Sequence, residues 1–393
     1  MTPELRSQQR ILHTHRILLR AGFSLVSTFA WIFVFVFALT FSGSIASAFF
    51  VSLVVYALSQ IVVIIATPLS AAHLRHGLRR SMVFGALLSA LAFAALGATM
   101  AGYFASPLGW GLALFGILLG SYRALYWIPY RLQSAGQSKK TALYYEILLA
   151  LLPAFAGVTL ISVNLSVFRL LFGAAGLMLL SVIPIFFLED LGEPFRWGYV
   201  ETFTKLFEER YQTLALRSVL WGMESVTLML LWPLTVFLIV GRSYFVFGLI
   251  MSVSLLVLLA LRKTYRDALR IWDVRDSMPL EIAVAVSGWI LRLIAGSPLM
   301  IVVADSYSFV SAPASVAEFV SREHAADGGS YIDEYTALQE IGMGLGRLLM
   351  CVFAGALLFT MPVSVVLALS LIVAAVVAGA AAYFSHKIRL EAY

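Results

Sequence analysis

Apolar residues in this chain come in long unbroken runs, and polar residues gather into the short stretches between them. Runs long enough to cross about 30 Å of hydrocarbon fall near 17–41, 45–72, 81–103, 107–131, 141–163, 166–188, 212–240, 243–261, 279–296, 297–320, 335–358 and 362–385. Each is expected to be a helix. Period-two alternation is absent, and membrane barrels carry much weaker hydropathy per segment. The ninth and tenth runs are divided only by AGSP. The expected fold class is therefore all-α and integral to the membrane, with 12 transmembrane helices.

The polar gaps divide the chain in two. The longest, LEDLGEPFRWGYVETFTKLFEERYQ, separates six runs from six. It predicts an N-terminal six-helix bundle over 1–188, a linker over 189–211 and a C-terminal bundle over 212–393. Tyr199, Phe203, Leu206 and Phe207 recur at helical spacing among charges, so the linker is expected to hold an interfacial amphipathic helix. RKTYRDALRIWDVRDS (262–277) reads as a second such element. The halves also repeat locally. SYRALYWIP (121–129) precedes TALYYE (141–146), and SYSFVSAP (306–313) precedes TALQE (336–340), at corresponding helices. An internal duplication, giving two pseudo-symmetric bundles, accounts for both matches in order.

Composition agrees about the solvent: the chain is 61% hydrophobic and 12% charged, with mean hydropathy +0.93, which a soluble chain of 393 residues does not show. The basic net charge of +6 raises the possibility of nucleic acid, and the placement of the charges removes it. Arg6, Arg10, Arg16 and Arg20 stand at the N-terminus, and every second loop continues the bias, through Lys139, Lys140, Arg262, Lys263, Arg275 and Arg322 to Lys387 and Arg389 in the tail. The alternate loops hold only Arg169 and Arg242. By the positive-inside rule both termini are expected in the cytoplasm, the chain in the inner (cytoplasmic) membrane, and the lipid bilayer its partner. The basic start leads into a full-length span without a small-residue cleavage site, so an uncleaved first helix is expected. A single cysteine, Cys351, excludes an intramolecular disulfide.

With these features the chain resembles the major facilitator superfamily of secondary transporters. The likeness covers essentially its whole length. The family's loop motif between helices two and three, roughly G-x-x-x-D-R-x-G-R-R, is matched by SAAHLRHGLRR (70–80) through Arg75, Gly77, Arg79 and Arg80, with Ser70 for the first glycine and Leu74 for the acid. The antiporter motif of helix five, G-P-x-x-G-G, is met only by Pro153 and Gly157 in LPAFAG. Arg123 matches the fourth-helix arginine of many proton-coupled members. The resemblance implies that helices one, four, seven and ten line a central cavity, with two, five, eight and eleven gating it. It also implies alternating access by a monomer that needs no cofactor and draws on a proton gradient.

Eight charges fall at membrane depth: Arg123, Arg217, Arg292 and Arg347 against Glu146, Glu224, Asp305 and Glu340. Facing lipid, a charge at a helix centre costs about 2.5–3.5 kcal/mol, so equal numbers suggest mutual neutralisation inside the protein. The plain alternative for each pair is a static fastener between helices. Arg217, Trp221, Glu224 and Leu228 form one stripe of helix seven, and Glu340, Gly344 and Arg347 one of helix eleven. On the implied architecture Arg123, Glu224 and Asp305 are cavity charges, with Asp305 facing Arg123. Either Asp305 or Glu224 then carries the proton, Asp305 slightly ahead. Glu146, Arg217, Arg292, Glu340 and Arg347 are the expected gate or structural charges. Tyr126, Trp127, Trp221 and Tyr307 are candidate substrate-cavity aromatics, although most membrane aromatics serve as interfacial anchors.

An enzyme has little to stand on here. All six histidines (13, 15, 73, 76, 324, 386) are expected in loops or the tail, which leaves no intramembrane metal cluster or histidine base, and no glycine-rich phosphate cradle with lysine is present. The expected function is secondary transport of a small organic solute, proton-coupled, with export slightly ahead. Uptake of a sugar or organic acid, and a lipid flippase or non-transporting sensor, stay open.

Overall fold

The computed structural model describes residues 3–104, 107–134, 143–162, 166–190, 192, 195–271, 278–311 and 332–391. Every regular element among them is helical, and ten helices are long and apolar enough to cross a membrane. We number the membrane helices α1 (Pro3–Ser42), α2 (Ile45–His73), α3 (Leu78–Met100), α4 (Leu112–Ser134), α5 (Leu143–Ser162) and α6 (Val167–Leu180, continued at Val182–Ile185). The second set is α7 (Glu209–Val226, a π-turn at Thr227–Leu231, then Trp232–Ile239), α8 (Tyr244–Ile271), α9 (Met278–Ile294), α10 (Pro298–Ser311), α11 (Ile332–Leu357) and α12 (Val363–Glu391). These twelve helices, counted among the described residues, make the chain a multi-pass membrane protein. The division between α9 and α10 falls at the expected AGSP.

Packing follows two groups. Within the first, α1 lies on α2, α5 and α6, and α3 lies on α4 and α6; within the second, α7 lies on α11 and α12, and α9 on α10 and α12. Two long seams join the groups, α2 on α11 and α5 on α8. The start of α1 meets the end of α6, where the Glu189 N–H donates to Gln8 Oε1 at 3.1 Å. The start of α7 meets the end of α12, where Arg217 Nε donates to Ser385 Oγ at 2.6 Å. We call this the linker end of the bundle and the opposite one the far end. Toward the far end an aromatic plug seals the groups together: Phe29 and Phe33 of α1 stack about Tyr244 and Phe247 of α8, backed by Phe237 of α7.

Two expectations about polar segments change. α1 begins at Pro3, well before the apolar run, which carries His15 into a helix where it is fully buried. The linker does hold a short helix, Tyr199–Thr204, with a 3₁₀ turn at Lys205–Phe207. Its apolar face is not all turned to the interface. Leu206 is buried with Tyr211, Ala215, Leu338 and Ile341, and Phe203 and Ile64 pack beside them. The linker thus sits over the α2–α11 seam. Phe207 and Tyr199 stay exposed. The segment expected as a second interfacial element continues as α8 to Ile271, and 272–277 lie outside the described residues, as do Lys139, Lys140, Arg275, Arg322 and His324.

Candidate functional site

The junction of α2, α4, α7 and α11 brings polar side chains of both groups together. Arg123 of α4 points across to α11, where its Nε lies 2.8 Å from Glu340 Oε2. Arg131, two turns further along α4, approaches the other Glu340 oxygen at 3.9 Å and donates to Gln339 Oε1 at 2.7 Å. Glu340 is almost wholly enclosed, its side chain 2% exposed, while that of Arg123 retains 27%. Deeper along α11, Arg347 donates from Nε to Ser225 Oγ of α7 at 2.8 Å and from Nη1 to Gln60 Oε1 of α2 at 3.2 Å. Tyr56 of α2 is buried against Trp31 of α1 beside this junction.

A second network lies inside the α7–α12 group. Asp305 Oδ1 of α10 takes Arg292 Nε of α9 and Trp232 Nε1 of α7, both at 2.9 Å. The same guanidinium lies 4.6 Å from the centre of the Trp289 ring, within cation–π range. Trp289 Nε1 in turn donates to Glu224 Oε1 at 3.0 Å. One arginine thus stands between two acids, bonded to Asp305 and separated from Glu224 by an indole. Glu224 has no cation within 4 Å among the described residues. The π-turn of α7 begins three residues after it, at Thr227, a helix irregularity common at functional sites.

Several expected roles move. Asp305 does not face Arg123; it pairs with Arg292, which the ninth helix turns inward, and Arg123 pairs with Glu340. Arg347 has no carboxylate within 4 Å among the described residues, so the four positive and four negative charges are not matched one to one. The Arg217–Trp221–Glu224 stripe does not line the contact between the groups. Gly222, Ser218 and Ser225 occupy the close α7–α11 contact, which turns that stripe toward α9 and α12, with the Arg217 guanidinium 5.6 Å from the Trp221 ring centre. Tyr126 is buried and its hydroxyl is bonded to His15 Nε2 at 2.7 Å, the other ring nitrogen meeting the Ser181 carbonyl at 2.7 Å. This tyrosine binds α1 to α4 and offers little to a solute. Trp127 lies beside Arg131, whose guanidinium is 5.4 Å from its ring. Tyr307 bonds Ser287 of α9 at 2.8 Å. Glu146, in the first turn of α5, interacts electrostatically with Arg20 of α1.

The loop motif has acquired a different acid. Asp190, past the end of α6, accepts the Arg79 N–H at 3.0 Å and lies within ion-pair range of Arg79 at 3.6 Å and Arg80 at 3.9 Å. Arg79 also donates to the Phe186 and Leu188 carbonyls. Gly77 makes the turn with φ of 122°, and a Cβ there would strike the Asp190 carboxylate. Leu74, where the motif has its acid, is buried with Ala71, Leu78, Ile128 and, across the seam, Ala337 of α11. Arg75 is exposed, its Nε 3.2 Å from His76 Nε2. Pro153 and Gly157 serve the other seam. A Cβ on Gly157 would come within 2.7 Å of the Tyr244 carbonyl oxygen, and Ser252 Oγ of α8 accepts the Ala154 N–H at 2.8 Å.

His15, Trp232, Trp289, Gln60, Ser225 and Asp190 were not among the expected site residues. Trp289 and Arg292 at i, i+3 were a readable signal; the others became visible only through contacts far apart in sequence.

The sequence matches no protein-family profile and no curated protein. Its fold is similar to that of the nucleoside transporter NupG, solved as a point mutant, with TM-score 0.59 and 16% identity over 96% of this chain and 99% of that one. It is similar as well to a D-xylose-proton symporter, with TM-score 0.64 and 12% identity over 95% of this chain and 96% of that one. The chain has the major facilitator fold.

Proposed function

We propose that the chain is a secondary active transporter that moves a small polar organic solute across the membrane by alternating access of its two helix groups. The observation that carries this reading is the Arg123–Glu340 pair. It joins α4 to α11 across the junction and must break whenever the linker end opens. A fastener would be served best by two enclosed partners, whereas here the cation keeps partial exposure and a second cation stands by. On this view the 1–188 and 212–393 bundles are the moving bodies and the linker, docked over the α2–α11 seam, tethers them.

Proton coupling is assigned to the second network. Arg292 serves two acids, and in this conformation it is bonded to Asp305. Glu224, bonded to a neutral N–H and to no cation within 4 Å among the described residues, can take a proton without breaking an ion pair. Asp305 cannot, which reverses the order expected from sequence. Uptake with the proton is the direction we favour. The case for export rested on Pro153, Gly157 and a bulky aromatic lining; the first two pack α5 on α8, and Tyr126 is engaged by His15. One fold neighbour is a proton symporter by name, which supports the same choice.

The test is flux in proteoliposomes. The solute that most raises the unfolding temperature in a compound screen should accumulate under an inward proton gradient. Glu224→Gln should lose accumulation and keep solute exchange, while Asp305→Asn should lose both through collapse of the Arg292 pair. Gradient-driven accumulation at the native rate in Glu224→Gln would remove that residue from the coupling step.

A further inference from the structure

The α2–α4–α7–α11 junction holds more cation than acid. Among the described residues, Arg123 and Arg131 share a single carboxylate, Glu340, and Arg347 stands further along α11 in the same junction. Arg347 is 2% exposed, and its hydrogen-bond partners there are the Ser225 hydroxyl and the Gln60 amide oxygen. Glu340 lies seven residues away on the same helix, about 10 Å along the axis. The next acids of α11, Asp333 and Glu334, are about 20 Å from Arg347 by the same measure, at the linker end, where Glu334 accepts the Arg196 N–H. One further donor is left over. Trp127 Nε1, one turn from Arg123 on α4, is buried with no hydrogen-bond acceptor among the described residues. An enclosed guanidinium without a counter-charge is costly to maintain, and a surplus of donors at one place selects a ligand rich in negative oxygen.

We propose that this junction seats the anionic group of the transported solute, a carboxylate or phosphate on a small organic molecule, with Arg347 as its principal partner and Arg123 and Trp127 Nε1 at its side. The proposal rests on the transporter reading and narrows it to organic anions, away from the neutral compounds that the fold neighbours are named for. It also links binding to movement. An oxyanion that engages Arg123 competes with Glu340 for the same guanidinium, so its arrival loosens the contact that holds α4 to α11. A proton carried with the solute then offsets its charge.

The experiment uses purified full-length protein and matched pairs of compounds: gluconate and glucose, lactate and propane-1,2-diol, glucose 6-phosphate and glucose, with sodium chloride at equal ionic strength. At least one anion should raise the unfolding temperature while its neutral counterpart and chloride do not. The carboxylate and phosphate arms tell the two oxyanions apart. Arg347→Gln should weaken that anion's Kd by about tenfold or more, with partial recovery in Arg347→Lys. In the absence of any ligand, Arg347→Met should unfold at or above the native temperature, because it removes an uncompensated charge. No anion acting beyond chloride overturns the proposal. Neutral compounds acting as well as anions overturn it too, while the transporter reading stands. Arg347→Met that unfolds well below the native temperature, with anion binding intact, makes Arg347 a fastener and overturns it as well.

Discussion

Removing the Glu340 carboxylate should open the linker end. A buried ion pair that loses one partner typically costs 3–5 kcal/mol, and an exposed pair contributes under about 1 kcal/mol. Here the acid side chain is 2% exposed and the arginine 27%, so the abandoned guanidinium can be partly hydrated, and a value of about 2 kcal/mol lies between those limits. Because the pair exists only while α4 and α11 are joined, that energy acts entirely on the joined state. Glu340→Gln should then shift the joined-to-parted ratio about thirtyfold; a native ratio of roughly 99:1 would fall to roughly 3:1. Spin labels at Ser134→Cys on α4 and Gln212→Cys on α7, at the linker end, report this as a second, longer distance. Arg123→Gln should produce the same change, and the double variant should fall well short of the sum of the two. A distance distribution in Glu340→Gln indistinguishable from native would refute the reasoning and leave the pair without a gating role.

Further outcomes follow from the seams and turns. Gly157→Leu should force α5 from α8 and lower the unfolding temperature, because even a Cβ there meets the Tyr244 carbonyl at 2.7 Å; Gly173→Leu, with nothing within 4 Å, is the control. Gly77→Ala should destabilise by about 1–3 kcal/mol, and Asp190→Ala in the same chain should recover the part due to the clash, though not the part due to φ; thermal unfolding of the single and double variants separates the two. Arg75→Ala should change flux little, since its side chain meets only His76 among the described residues, whereas Arg79→Ala, which loses the ion pair with Asp190 and the bonds to two carbonyls, should lower expression and stability. A cysteine at Ser42 should react with an impermeant reagent from one side of the membrane and one at Glu201 from the other; reaction of both from the same side contradicts the helix count.

Twelve helices, their order and the central linker were legible because each apolar run must satisfy its own backbone in lipid, a local requirement that local sequence meets. The start of α1 was not, since residues 3–16 are polar enough to pass for a solvated arm; as a helix, they place Gln8 and His15 against partners at and just past the end of α6, far off in sequence. Counting charges at membrane depth found Arg123, Glu224, Asp305 and Glu340, yet could not pair them. Pairing depends on which face each helix presents, and small residues such as Gly222 decided that for α7 by demanding the close contact with α11. The acid missing from the loop motif was supplied by Asp190, more than a hundred residues on. No spacing rule connects the two positions.

Reciprocal movement of the two ends is the core of the account, and distances at both ends measured together test it most directly. One label pair, Ser134→Cys with Gln212→Cys, reads the linker end; a second, Ser42→Cys with Thr360→Cys, reads the far end, beyond the aromatic plug of Phe29, Phe33 and Tyr244. In native protein and in Glu340→Gln, any condition that lengthens the first distance should shorten the second, whether the change is made by mutation, pH or a stabilising solute. Distances that stay fixed at both ends under every condition, or that lengthen together, would contradict alternating access.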